Sequence, residues 1–347
     1  MAPRSPRRTV ERRSAQSVAA PLAARVYGEL ARGGFHSGTE LARMLGVSRS
    51  AVWKAAVSLR ELGVVLHAVR NRGYRLPAAC EPLDAERIRE FLTTDVRARI
   101  RRIDTLWSLA STNATLLERT DLASASADVV LAEYQTAGRG RRGRAWMAPP
   151  GGAICLSLGW SFPQVPRDLG ALGLAVGVCA LRALRHHVPR PITLKWPNDL
   201  LVEQHKLGGI LIEMRAETNG PSYVVIGVGI NVALGPKLLE EIAAAGTQAT
   251  DLRAAGADPT QRNTVVASLI DSIVRGLLEF EDAGLRPFLE EWKRADAVRG
   301  RTIDVHSGVR VARGLARGID LGGALLVETA EGLQRFVAGE VSVRAQP

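Results

Sequence analysis

The charge of this 347-residue chain is unevenly distributed, and that limits its architecture before any secondary structure is read. Residues 1–80 hold 14 Lys and Arg against 4 Asp and Glu, while residues 81–347 hold 32 against 31. Nearly all of the +11 net charge therefore lies in the first quarter. Such asymmetry predicts a polyanion-binding module joined to a nearly neutral body. The length suits two or three domains, and 46% apolar residues is a globular composition. No apolar run approaches the roughly 18 residues of a membrane span. The basic start (Arg4, Arg7, Arg8, Arg12, Arg13) leads into no apolar h-region, so no secretory leader is expected. Cys80, Cys155 and Cys179 are widely spaced with no CxxC, which suggests neither a disulfide framework nor a zinc site and makes a reducing cytoplasm the default.

Within the basic quarter, residues 1–20 read as a disordered arm and 21–80 as a folded module. Leu22, Val26 and Leu30, then Leu41, Met44 and Leu45, recur at helical spacing. Gly46 offers a helix C-terminus tolerant of left-handed geometry, and Ser48 an N-cap for a third helix. In that helix Val52, Ala55, Ala56, Leu59 and Leu62 make one apolar stripe, leaving Arg49, Ser50, Trp53 and Lys54 on another face. Helix, short glycine turn and helix is the helix-turn-helix layout, whose second helix enters the major groove. Val64 to Val69 reads as a strand, Asn71-Arg72-Gly73 as a turn and Tyr74-Arg75-Leu76 as a return strand, making a wing with Arg70, Arg72 and Arg75 placed for phosphates. The expected DNA contacts are Arg49, Ser50, Lys54 and Arg72. Pro77 to Asp84 reads as a linker.

From residue 84 onward, short β-rich runs alternate irregularly with helical patterns: Val129–Leu131, Ile154–Leu158, Ile192–Leu194, Leu207–Ile212 and Val224–Ile226. Leu169 to Val188 reads as a long amphipathic helix and 263–283 as another. The order is not a repeating βαβ, so an α+β fold with a mixed sheet is expected.

Gly138-Arg139-Gly140-Arg141-Arg142-Gly143-Arg144 contains GxGxxG, but Ala148-Pro149-Pro150-Gly151-Gly152 follows and leaves no room for the helix that a dinucleotide site requires. Four arginines on a glycine-permitted backbone form a cationic strap suited to a carboxylate or phosphate held by bidentate guanidinium contacts. Lysine is scarce, five against 41 arginines, so Lys195 and Lys206 flanking one turn hint that a compact ammonium is wanted there. Gly227-Val228-Gly229-Ile230-Asn231 ends a strand with two glycines, allowing either close approach of a ligand or a bulge.

Taken together and in order, these motifs resemble the bifunctional bacterial biotin protein ligases and biotin operon repressors. Ser111-Thr112-Asn113 opening a helix, Glu133-Tyr134-Gln135 running into the Arg/Gly strap, Lys195-Trp196-Pro197-Asn198-Asp199, Lys206-Leu207-Gly208-Gly209-Ile210 and Gly227–Asn231 carry the resemblance. It implies a winged helix-turn-helix over 21–80, a catalytic domain of the biotin/lipoate ligase type over 84–300 and an SH3-like barrel over 301–347. It also implies that biotin and Mg-ATP give biotinyl-5′-adenylate, whose acyl group passes to a lysine of a biotin carboxyl carrier protein.

By family position Ser111, Thr112, Asn113, Gln135, Arg139, Gly140, Arg141 and Lys206 would bind biotin. Arg141, Lys206 and Asp199 would serve the chemistry, with Asp199 orienting magnesium or the incoming amine. Arg142, Arg144, Asn198 and Asn231 would lie on the nucleotide side. No dedicated protein metal site is implied. A ligand-dependent homodimer bound to operator DNA is expected, with no membrane partner. One departure is plain: no Phe, Trp or Tyr lies between Asn231 and Phe280, where some members cover adenine with an aromatic, so aliphatic packing must substitute. A lipoate or octanoate ligase would share the fold, but its Arg-Arg-x-Ser-Gly-Gly-Gly stretch is absent. A ligand-sensing transcription factor with a degenerate ligase body is the non-enzymatic alternative, and an active ligase that has lost its operator is the converse.

Overall fold

A computed structural model describes residues 20–119, 126–215, 222–307, 310–337 and 341–345; the basic arm, apart from residue 20, lies outside them. The N-terminal module contains α1 (Leu22–Ala31), α2 (Gly38–Leu45), α3 (Arg49–Glu61), β1 (His67–Val69) and β2 (Gly73–Arg75). Its turns are set locally. Ser37 and Glu40 form a capping box at the start of α2, Gly46 ends that helix at φ 66°, and Ser48 Oγ accepts from Ala51 N–H to start α3. Val26, Leu30, Leu41, Val52 and Leu59 fill a separate small core. The wing is shorter than the sequence suggests. Val64 and Leu66 pack into that core, and Val64 N–H donates to Leu59 O, so pairing begins only at His67.

The stretch expected to be a linker is instead fixed in place. Asp84 N–H donates to Asn263 Oδ1, Leu83 N–H to Glu133 Oε1 and Asn263 Nδ2 to Pro82 O. Arg262, fully buried, donates to Glu81 O and pairs with Glu133 at 2.8 Å. Burial alone lowers the Arg262 pKa, but the Glu133 carboxylate outweighs it and the guanidinium is held above its ordinary value. On the other side Tyr27 stacks at a tilt on Trp107, 5.5 Å between ring centres, and its hydroxyl meets Cys80. The module is therefore seated on the body.

The body continues through α4 (Ala85–Phe91), α5 (Thr94–Arg97), β3 (Ile100–Leu109), α6 (Thr112–Leu117), β4 (Ala127–Gln135), β5 (Ala153–Phe162), α7 (Leu172–Leu184), β6 (Ile192–Lys195), β7 (Asp199–Val202), β8 (His205–Arg215), β9 (Ser222–Asn231), α8 (Pro236–Ala244), α9 (Arg262–Ala283) and α10 (Leu289–Ala295). Seven strands form one sheet in the order β3-β4-β5-β9-β8-β7-β6, parallel only between β3 and β4. One face is buried under α7 and α9 by Ile154, Leu156, Leu158, Ile226, Val228 and Ile230. The alternate residues face α6, where Val130, Tyr223 and Val225 pack on Leu116. The α7 segment corrects the sequence reading. It is a three-residue 3₁₀ turn followed by a helix ending at Leu184, and it is buried nearly all round rather than amphipathic, because the sheet, α9 and α10 cover it from different sides.

The C-terminal domain is an antiparallel sheet of β10 (Thr302–Ser307), β11 (Arg310–Ile319), β12 (Leu325–Thr329), β13 (Gly332–Phe336) and β14 (Val341–Ala345), ordered β13-β12-β11-β10-β14. Buried Trp196 docks it by donating Nε1–H to Gly323 O at 3.1 Å.

Candidate active site

The second face of the sheet opens into a cleft of about 880 Å³. Ser111 caps α6 by accepting from Ala114 N–H, which turns Thr112 and Asn113 inward over β5 and β9. Thr112 donates through its amide and its hydroxyl to Gln135 Oε1, at 2.8 and 3.1 Å. Asn113 donates Nδ2–H to Glu213 Oε2 at 2.8 Å. Ser157 Oγ lies within hydrogen-bonding distance of both Thr112 Oγ1 and Asn113 Oδ1. Gly227 is required here, since a Cβ on it would strike Asn113 Oδ1. The floor is thus a buried, mutually hydrogen-bonded patch of donors and acceptors.

Ser157 and Glu213 were missed in the sequence. The signal for Ser157 was present: a polar residue inside an apolar strand, on the face opposite Leu156 and Leu158. Cys155 shares that face, and burial pushes its thiol up to about 11, so it stays protonated at neutral pH.

The cationic strap forms the rim. Trp146 N–H donates to Gly138 O and Gly140 N–H to Arg144 O, closing residues 138–146 into a small hairpin-like loop. Arg142 and Gly143 turn its tip at φ 59° and 70°. No α-helix begins there, as the prolines require; the element is a single 3₁₀ turn. Arg139 reaches Glu213 at 3.7 Å and is exposed, as are Arg142 and Arg144. Arg141 is half-buried and donates to Asn198 Oδ1 at 3.2 Å. Burial, together with Arg142 and Arg144, holds its guanidinium below the ordinary value against the pull of Asp199. It remains charged at neutral pH.

Lys206 is the second residue of β8 after the Glu203-Gln204 turn, and its ammonium lies 2.5 Å from Asp199 Oδ1 on β7. Asn198 donates Nδ2–H to Ile210 O, and Asn231 donates to the carbonyls of Lys206 and Thr250. Both amides therefore fix the backbone around Lys206. Trp146 lies over Gly229, where a Cβ would come within 2.7 Å of the ring, so that glycine admits a side chain of this chain. From the segment without aromatics, α8 and the loop after it supply Glu241, Ile242 and residues 245–249 to the cleft wall. All of Ser111, Thr112, Asn113, Gln135, Arg139, Gly140, Arg141, Arg142, Arg144, Asn198, Asp199, Lys206 and Asn231 line this one cleft. Arg49, Ser50, Lys54 and Arg72 lie apart, on the N-terminal module. Arg72 sits over the Phe35 ring at 4.3 Å.

Residues 107–231 match the Biotin/lipoate A/B protein ligase family, 27–75 an HTH domain and 300–344 the biotin protein ligase C-terminal domain. The chain is 38% identical over 316 residues to the bifunctional ligase/repressor BirA of Salmonella typhimurium, covering 91% of this chain and 95% of that one. It is 34% identical over 275 residues to the biotin–[acetyl-CoA-carboxylase] ligase of Mycobacterium tuberculosis, covering 75% and 95%. Among solved structures, the biotin protein ligase of Aquifex aeolicus in complex with biotin and ATP is similar at 26% identity, with a TM-score of 0.60 over 71% of this chain and all of that one. The chain belongs to the biotin protein ligase family, and its N-terminal HTH domain aligns it with the bifunctional ligase/repressors.

Proposed function

We propose that this protein activates biotin with Mg-ATP to biotinyl-5′-adenylate, transfers biotin to a lysine of a biotin carboxyl carrier protein, and represses transcription through its winged helix. The observation that carries the ligase reading is the meeting, in one cleft, of a polar floor and a cationic rim. Biotin's ureido ring needs donors and acceptors, which Ser111, Thr112, Asn113 and Gln135 supply. Its carboxylate points toward Arg139, Gly140, Arg141 and Lys206.

The carboxylate is already a nucleophile, so attack on the α-phosphate needs alignment and charge neutralisation rather than a general base. Arg141 and Lys206 supply the charge, and Asp199 holds the Lys206 ammonium in place. Arg142, Arg144 and Asn198 face the nucleotide, while Asn231 acts by pinning the strand that carries Lys206. Magnesium enters with ATP as part of the substrate; among the described residues no cluster of His, Cys, Asp or Glu could hold it independently. In the second step a neutral lysine amine attacks the acyl carbon, the acyl–phosphate bond breaks and AMP leaves. Asp199 is placed to orient that amine.

The repressor half rests on the HTH match and the charge split. A single winged helix makes few base contacts, so two copies on a palindrome are expected, with dimerisation favoured by the adenylate and linked reciprocally to operator affinity. Among the described residues no helix is long and apolar enough to cross a membrane. The three free cysteines suit a reducing cytoplasm.

Incubation with ATP, labelled biotin and a carrier domain tests the enzyme, with lipoate as control. Covalent label that needs both ATP and biotin is expected; no label, or equal use of lipoate, overturns the assignment. Gel shifts on the upstream region of this chain's own gene, with and without biotin and ATP, test the repressor. Binding indifferent to sequence and to adenylate overturns it.

A further inference from the structure

Of the chain's six tryptophans, Trp53 alone is exposed; its side chain is 58% accessible, while Trp160, Trp196 and Trp292 are buried. It lies on the second turn of α3, four residues from Arg49 and next to Lys54. Spacings of three and four residues put Arg49, Ser50, Trp53 and Lys54 on one face. That face has no acid in its first turn, and all four residues are exposed. The opposite stripe (Val52, Ala55, Ala56, Leu59) fills the module's core, so Trp53 contributes nothing to it. An indole left in water on a cationic helix face calls for a partner that is polyanionic and locally apolar.

We infer that Trp53 is a base-reading residue whose indole rests on the C5-methyl of a thymine in the major groove of each operator half-site. Major-groove base edges otherwise present mainly hydrogen-bond donors and acceptors, which Arg49, Ser50 and Lys54 can read; the thymine methyl is the only alkyl group there. A phosphate would engage at most the indole N–H and leave the ring wet. The inference rests on the repressor reading and deepens it by assigning a base.

The test uses the full-length chain with biotin and ATP to select duplexes from a randomised pool, then replaces each selected thymine by uracil, which lacks only the methyl. One thymine per half-site is expected to be sensitive, with about fourfold weaker binding for each methyl removed, as burial of one such group implies. Trp53→Ala is expected to weaken binding to the thymine duplex and to lose the thymine–uracil discrimination. Its ligase rate should stay at the parent value, because Trp53 does not line the cleft. Uracil sensitivity that persists in Trp53→Ala, or no sensitive thymine at all, overturns the assignment while leaving the repressor reading intact. That second result would leave Trp53 to a protein contact. If no sequence is enriched, both readings fall together.

Discussion

In the winged helix, Arg49, Lys54, Arg70, Arg72 and Arg75 form no ion pair with an acid among the described residues, whereas in the body Arg101, Arg119, Arg182 and Arg262 each do. The same residue type thus serves two purposes. In the body a guanidinium bonds carboxylates and carbonyls at fixed positions, and its charge is neutralised within the fold. On the recognition helix and wing it has no acid partner among the described residues and is available to an outside polyanion, although Arg32 at the end of α1 pairs with Glu29. The cleft combines the two: Lys206 is paired, yet it and the strap border open space.

The most severe test of that comparison is Lys206→Gln. On the proposed role the ammonium opposes charge that develops only during adenylate formation, so pyrophosphate release should fall by roughly three orders of magnitude with the fold intact. A rate near the parent value would make Lys206 a structural partner of Asp199, no different from the body arginines. Next in size is Glu133→Ala, which leaves buried Arg262 without its carboxylate and should cost about 3–5 kcal/mol in urea unfolding. Neutralising Arg49 and Lys54 together should by contrast move stability by no more than about 0.5 kcal/mol. Equal losses from the two changes would erase the distinction.

Arg141→Ala should cost about 2–4 kcal/mol of adenylate binding, because its charge-assisted contact lies in a partly closed site. Released biotinyl-adenylate, measured in the filtrate during turnover, should rise. Unchanged retention would place Arg141 with the solvated arginines.

The features legible in the sequence were those whose cause is local. Gly46 and Ser48 define the turn between two helices because left-handed geometry and capping act over a few residues. The prolines after the strap exclude a helix for a similarly local reason. What escaped was joined across long separations. Glu133 and Arg262 are 129 residues apart, and Asn113 and Glu213 are 100 apart, so no spacing rule could link either pair. Glu133 and Arg262, with Asn263, also hold residues 81–84, which is why the Pro-flanked linker proved to be fixed in place. Most of the cleft was identified through resemblance, because the polar floor is assembled from α6, β4, β5 and β8, which meet only in the folded sheet.

A smaller effect is predicted from pH. Burial alone raises the Asp128 carboxyl, but Arg101 and Arg119 outweigh it and hold it below the ordinary carboxylate value of 3.8. The group binds its proton more weakly folded than unfolded, so its contribution is complete above the ordinary value and is lost as pH falls through the folded one. Urea unfolding of the parent and Asp128→Asn should differ by a constant amount from pH 7 to about 5, begin to converge only below about 4, and close as pH falls through the still lower folded value. A difference that persists at low pH would show that the carboxylate charge is not what these arginines require.

The smallest effect belongs to the wing. Arg72 and Arg75 sit over Phe35, at 4.3 and 4.9 Å from the ring centre, so their guanidiniums are held by cation–π contact rather than by an acid. Neither is paired with an acid among the described residues, so both are available to phosphate. Neutralising one phosphate by such a side chain releases about one condensed counterion from duplex DNA, so Arg72→Ala should reduce the slope of log affinity against log salt by about 1 per wing. If the contact is to backbone, as proposed, the loss should be nearly uniform across sequences, unlike the thymine-specific loss expected at Trp53. Arg182→Ala supplies the matching control in the body. Its guanidinium pairs with Glu279 and Glu291, so removing it should leave the salt slope unchanged even where stability falls. If the slope is insensitive to Arg72 but sensitive to Arg182, DNA is held by the body, and the division between unpaired and paired arginines has no bearing on DNA binding.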